Sequence, residues 1–175
     1  FNVIGTANTR DKGVNEMSSA LKRRFSFETV QPVGDVALEK QIILDEVGAM
    51  ARIAGISAPL DDDAATLLAT TYHELRQGIS AEGIRLKKPA AVMSTAEAVS
   101  VYFQTFLSAW YYGGPEQVRH LDERALAENL VGAVAKESRE ELAAVREYFS
   151  TIVQKKAEQE DGAWKRFYEA GMRLK

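Results

Sequence analysis

The chain has 175 residues, of which 46% are hydrophobic and 27% are charged, and its formal net charge is −3. This composition is typical of a globular protein, with neither a basic field to attract nucleic acid nor an apolar stretch near the roughly 20 residues of a membrane span. Because no cysteine is present, disulfides, thiolate metal sites and cysteine nucleophiles are excluded.

The first thirty residues predict two short strands joined by a helix. Residues 1–7 are apolar and partly β-branched, as in a buried parallel strand. Asn15 is placed to cap a helix that runs through Arg23, and residues 25–30 alternate as a strand does. Since the chain opens directly on a strand-like run that starts with Phe1, we expect it to be a fragment of a longer protein.

Pro32 and Gly34 mark a boundary, after which the pattern becomes helical. Asp35 can cap a first long helix, and Asp61 can cap a second that Gly78 closes. The first helix has an apolar stripe at three- and four-residue spacing. Its members are Leu38, Ile42, Ile43, Val47, Met50 and Ile53.

The remaining chain predicts four more helices. Residues 94–97 form a capping box that opens an apolar helix, which the glycines at 113–114 end. Two helices are predicted at about 122–135 and 138–158, and an amphipathic piece follows residue 162.

One motif near the start carries most of the functional information. Thr6-Ala7-Asn8-Thr9 follows the first predicted strand, and Ala20-Leu21-Lys22-Arg23-Arg24-Phe25 ends the first helix. This pattern resembles the second half of an AAA+ nucleotide-hydrolase core, and most closely that of the MoxR-like family. The resemblance is tight over residues 1–30 and loose beyond them.

The resemblance implies a mainly α fold: a remnant of an α/β AAA+ core, made of two strands and a short helix, followed by a helical lid bundle. It assigns residues 1–34 to the end of the nucleotide-binding core and residues 35–135 to the lid. Residues 136–175 are then C-terminal helices that pack on the lid.

Two catalytic roles follow from the resemblance. Asn8 matches the sensor-1 asparagine beside the nucleotide, with Thr6 next to it, and the carboxyl end of a strand is where open α/β sheets bind ligands. Arg24 matches the arginine finger that reaches a neighbouring subunit's nucleotide, and Arg23 is the second choice. The alternatives are an asparagine that stabilises a turn and a solvated basic helix end.

The sensor-2 arginine of the family has no clear match. Ala96 or a neighbour stands where that arginine is expected, at the start of a lid helix. Arg85, Lys87 or Lys88 on the preceding loop can substitute as nucleotide-binding cations, and the alternative is a solvated loop.

No metal site is predicted within the chain. The acidic run at residues 61–63 stands where a helix N-terminus favours negative charge. His73 and His120 lie far apart, without ligand spacing around either.

The chain is therefore expected to be part of a cytoplasmic, MoxR-like AAA+ ATPase that remodels or matures an unidentified client protein. ATP and Mg²⁺ are the cofactors expected of the full-length protein. The fragment alone is expected to be inactive and to bind neither, since it has no phosphate-binding loop. Its partners are the neighbouring subunits of a homo-oligomeric ring, expected to be a hexamer. The alternatives are a non-enzymatic helical interaction module and the GTP- or ATP-hydrolysing subunit of a DNA restriction system.

Overall fold

The computed structural model describes residues 3–5, 18–89, 93–135, 138–159 and 162–173, and the chain divides into two compact units, Phe1–Gln31 and Pro32–Lys175. The first unit contains a short helix, α1 (Ser19–Lys22). The Ser18 hydroxyl caps it by accepting a hydrogen bond from the backbone N–H of Leu21. The predicted cap Asn15 lies outside the described residues, and the helix ends at Lys22, one residue before the predicted end, with Arg23 as its C-cap.

The predicted second strand is wrong, because residues 25–30 have no regular secondary structure. Phe25, Phe27 and Val30 are all exposed. A strand requires a hydrogen-bonded neighbour, and the described residues of this unit contain none. Of the predicted first strand, residues 3–5 are not a strand either, and the rest lies outside the described residues.

The second unit is helical, which confirms the mainly α prediction. The helices of this unit are α2 (Val36–Ile53), α3 (Asp62–Gln77), α4 (Thr95–Gly113), α5 (Glu123–Ala135), α6 (Arg139–Tyr148), α7 (Gln154–Gln159) and α8 (Ala163–Gly171). Helix α2 packs on both α3 and α4, and α5 packs on α4, α6 and α8. A 3₁₀ turn at Gln117–Arg119 precedes α5, and a π-helical segment at Phe149–Val153 joins α6 to α7 without a break.

Capping side chains set the helix boundaries where the sequence predicts them. Asp35 caps α2 and Asp61 caps α3, each through its carboxylate. Ser94 and Glu97 form the reciprocal capping box of α4. Gly78 ends α3 with a φ of 71°, a left-handed conformation that suits glycine.

The buried face of α2 differs from the predicted stripe. Ile43 and Val47 are fully buried, but Leu38 and Ile53 at the helix ends are exposed. The position four residues before Ile43 is instead occupied by the fully buried Glu39. The buried side chain of the first turn is therefore that of Glu39 and not that of Leu38.

Candidate functional site

Three helix ends of the bundle meet around the guanidinium of Arg76, which lies in the last turn of α3. Its Nη1 donates to the carbonyl oxygen of Met93 at 2.7 Å, just before α4. Its Nη2 donates to the carbonyl oxygen of Val33 at 3.2 Å, just before α2. The start of α2, the end of α3 and the start of α4 therefore lie at one end of the bundle.

Glu39 compensates the charge of this arginine inside the protein. Its two carboxylate oxygens accept from Arg76 at 3.0 and 2.5 Å, and the Thr95 hydroxyl donates to the same carboxylate at 2.8 Å. A bidentate, charge-assisted pair of this kind suits a buried site, because each charge satisfies the other. Nδ1 of His73 lies 3.9 Å from Glu39 and has no hydrogen-bond partner.

A loop with three cations leaves the same end of α3. Residues 79–89, here called the basic loop, are closed by an antiparallel bridge between Ile79 and Arg85. The N–H of Leu86 donates to the carbonyl of Gly78 at 3.0 Å. Ile84 and Leu86 pack against the core, whereas Arg85, Lys87 and Lys88 are exposed.

The aliphatic part of Lys88 crosses the end of α3. A Cβ added at Gly78 would overlap the Lys88 side chain, so the missing side chain of this glycine makes room for the lysine. The aliphatic carbons of Lys88 therefore lie against the end of α3, although Lys88 is an exposed residue.

A second buried carboxylate, that of Glu74, lies one turn before the end of α3. Its Oε1 accepts from the N–H of Ala81 in the basic loop at 2.9 Å, and its Oε2 accepts from the Tyr148 hydroxyl at 2.6 Å. Nζ of Lys156 lies 3.2 Å from Oε1. Burial, and then the charge of Glu74, raise the pKa of Tyr148 well above its ordinary value of 10.0.

The acidic run at residues 61–63 is a helix start, as predicted. Oδ1 of Asp61 accepts from the N–H groups of Asp63 and Ala64, and its Oδ2 accepts from the N–H of Leu121 at 2.7 Å. The carboxylate of Asp62 pairs with Lys40. In the described part of the chain, no group of three or more His, Cys, Asp and Glu side chains is arranged to hold a metal ion.

A family model for the YehL-like AAA+ ATPase C-terminal domain matches residues 37–175. The chain belongs to this family. The uncharacterized protein YehL of Escherichia coli (strain K12) is 37% identical over 174 residues, which are 99% of this chain and 46% of the relative. The chain thus spans less than half the length of that relative. No solved structure shows a significant match.

Membership in this AAA+ family confirms the resemblance at the level of a helical C-terminal part. The MoxR-like branch stays a prediction. Among the helices that the structure describes, none is both long enough and apolar enough to cross a membrane.

The predicted site residues fall into three groups. Thr6 and Asn8 lie outside the described residues. Arg23 and Arg24 are exposed directly after α1, in the first unit. Arg85, Lys87 and Lys88 are all exposed on the basic loop of the second unit.

The buried ionic contacts at this end of the bundle were missed from the sequence. Glu39 does leave a signal, because it stands four and eight residues before the buried Ile43 and Val47, inside an otherwise apolar stripe. Arg76 leaves none, since a cation in the last turn of a helix is adequately explained by the helix dipole.

Proposed function

We propose that this chain supplies the arginine finger and the lid of a MoxR-like AAA+ ATPase, which works as a homo-oligomeric ring, a hexamer in this proposal. The ring couples ATP hydrolysis to remodelling or maturation of partner proteins. The observation that carries the proposal is the family match over residues 37–175, preceded by an exposed Arg23-Arg24-Phe25 at the end of α1.

The chemistry of the two arginines fits a finger. A guanidinium keeps its charge and offers a planar fork of donors that matches phosphate oxygens. Both side chains are exposed, and within the described residues no carboxylate pairs with either. ATP with Mg²⁺, when bound to the full-length protein, supplies the phosphoryl group. Arg24 of one subunit would donate hydrogen bonds to the phosphate oxygens of the nucleotide bound to the neighbouring subunit, and Arg23 would assist it.

The other proposed contacts with the nucleotide come from the Thr6–Asn8 segment and from the basic loop. Asn8, with Thr6 beside it, orients the attacking water as sensor-1. Arg85 and Lys88 of the basic loop bind phosphate in place of the missing sensor-2 arginine. What supports this assignment is that both cations are exposed on the loop that precedes α4 in the chain, and that Ala96 stands in the first turn of that helix.

The test of the finger uses the full-length protein. Arg24→Ala should lower kcat for ATP hydrolysis roughly 10³-fold, the lower end of the effect of an arginine finger, with little change in nucleotide affinity. Arg24→Lys should recover only part of the rate, because an ammonium lacks the donor fork. Arg52→Ala, an exposed arginine in the last turn of α2, is the matched control.

Mixing two variants tests whether the finger acts between subunits. Arg24→Ala subunits and subunits with a disabled phosphate-binding loop should each be inactive, and their mixture should regain part of the turnover. Unchanged turnover in Arg24→Ala would contradict the finger assignment. A full-length protein that binds client proteins without binding nucleotide would favour the helical interaction module instead.

A further inference from the structure

Lys156 of α7 binds two carboxylates and an aromatic ring at once. Its Nζ lies 3.2 Å from Oε1 of Glu74 and 3.1 Å from Oε1 of Glu82, which belongs to the basic loop. The same Nζ lies 5.3 Å from the ring centre of Trp164 in α8, in a cation–π contact. Only 13% of the Lys156 side chain is exposed.

We call Glu74, Glu82, Tyr148 and Lys156 the Glu74 cluster. Glu74 is almost completely buried, and it receives three donors: the Tyr148 hydroxyl, the Ala81 N–H and the Lys156 ammonium. The pKa of Glu82 is lowered, first by a hydrogen bond from the Ser80 side chain and further by Lys156. Glu82 is therefore ionised at neutral pH and stays attractive to the lysine.

The π-helical segment explains how α7 reaches this cluster. Tyr148 and Lys156 are eight positions apart, which places them about 80° apart around an uninterrupted α-helix of 3.6 residues per turn. One extra residue in a π turn offsets the register by about 100°, and the two side chains then lie within about 20° of one face. Both in fact reach the carboxylate of Glu74.

The cluster fixes the basic loop at two of its residues. Ala81 is held through its N–H by Glu74, and Glu82 is held through its carboxylate by Lys156. The loop is also closed by hydrogen bonds of its own, from Ser80 N–H to the Ile84 carbonyl and from Leu86 N–H to the Gly78 carbonyl. Lys156 belongs to α7, and within the Glu74 cluster it is the residue that contacts both α3, through Glu74, and the basic loop, through Glu82.

We infer that Lys156 is a positioning residue for nucleotide binding, which holds the basic loop against α3 so that Arg85 and Lys88 are pre-arranged for phosphate. The inference rests on the proposed function. It makes α7 and α8 part of the nucleotide-binding apparatus, although neither helix itself contacts the nucleotide in this scheme. A loop that must be ordered at each binding event binds more weakly than one that is held in place.

The variant that tests this is Lys156→Met in the full-length protein, since methionine keeps an unbranched apolar stem and removes the charge. We expect the KM for ATP to rise about tenfold while kcat changes less than twofold. Hydrogen exchange at the amides of Ala81, Ile84 and Leu86 should become faster. Lys156→Arg should restore both values, because a guanidinium can still pair with two carboxylates. Lys155→Met, at the exposed neighbouring position, is the matched control and should behave as wild type.

The outcomes separate this inference from the function on which it rests. Unchanged exchange in the loop, or faster exchange with an unchanged KM, overturns the positioning role. If Lys156→Met lowers both kcat and the melting temperature but leaves KM unchanged, the role of Lys156 is purely structural. That result would also overturn the inference. If wild-type protein hydrolyses ATP and loses turnover with Arg24→Ala, but Lys156→Met is normal, the inference alone fails. If wild-type protein binds no ATP, both fail.

Discussion

Glu39 and Arg76 form a bidentate ion pair across 37 residues of sequence, with the carboxylate fully buried and the guanidinium nearly so. The pair also binds the backbone before α2 and α4, through the carbonyls of Val33 and Met93. Three helix ends are thereby joined by one pair of side chains. Removal of either partner would leave an uncompensated charge in the interior, which is costly.

Removing one member of this pair should destabilise the domain strongly. Glu39→Gln should lower the free energy of unfolding by about 3–5 kcal/mol, since it leaves the Arg76 charge without its partner. Urea denaturation of this chain measures the effect. Replacing both residues with methionine should cost less than Glu39→Gln alone. Glu46→Gln, exposed on the same helix, should stay within about 0.5 kcal/mol of wild type. A loss below about 1 kcal/mol for Glu39→Gln would contradict the ion-pair argument.

The close contact of Phe149 with Gly171 makes a second prediction. A Cβ at position 171 would overlap the Phe149 ring, which is itself packed at 4.8 Å from the ring of Phe167. Gly171→Ala should therefore cost about 1–3 kcal/mol by overpacking.

Two further variants check the cause of that loss. Gly132→Ala in α5 meets no atom within 4 Å, and it should stabilise the domain by roughly 0.4–1 kcal/mol through helix propensity. Adding Phe149→Leu to Gly171→Ala should recover part of the loss. Strict additivity of the two changes would show that the ring does not cause the strain.

The buried tyrosines give a dependence on alkaline pH. Burial raises the pKa of Tyr72, Tyr102 and Tyr148 above the ordinary value of 10.0. A group whose pKa is raised on folding stabilises the fold fully below its unfolded pKa, and this contribution is lost as the pH rises toward its folded pKa. Above pH 10 each tyrosine should therefore lower the free energy of unfolding by roughly 1.4 kcal/mol per pH unit.

Chemical denaturation at a series of pH values measures this slope. Above pH 10, Tyr148→Phe should make the free energy of unfolding fall less steeply with pH than in wild type. The difference should be the contribution of one tyrosine, roughly 1.4 kcal/mol per pH unit. Tyr111→Phe is the control, because that side chain is 80% exposed. The same slope in Tyr148→Phe and wild type would refute the assignment.

Local signals in the sequence predicted the helical part of the fold well. Asp35, Asp61 and the Ser94–Glu97 box define helix starts through contacts within four residues, and such contacts are legible in a linear sequence. The prediction of a strand at residues 25–30, by contrast, is wrong. Strand formation depends on a neighbour, and alternation alone does not supply one.

The site residues predicted from the sequence stay predictions. Arg85 and Lys88 were chosen for their residue type and for the loop that carries them, and both are exposed on that loop. The contacts of Glu39 with Arg76 and of Glu74 with Lys156 join distant segments, so no local pattern reveals them. The Lys156 contact further depends on a π turn that shifts the register, whereas the sequence predicted one regular helix over residues 138–158.

The packing of α8 has a consequence for synthesis on the ribosome. Phe167 is fully buried, and α8 packs chiefly on α5 and α7 and also contacts α3. The core therefore remains incomplete until residues 163–171 have left the exit tunnel, even though α2, α3 and α4 are made much earlier. At roughly 5–20 residues per second this interval lasts seconds, during which the part of α5 that α8 later covers is open to chaperones.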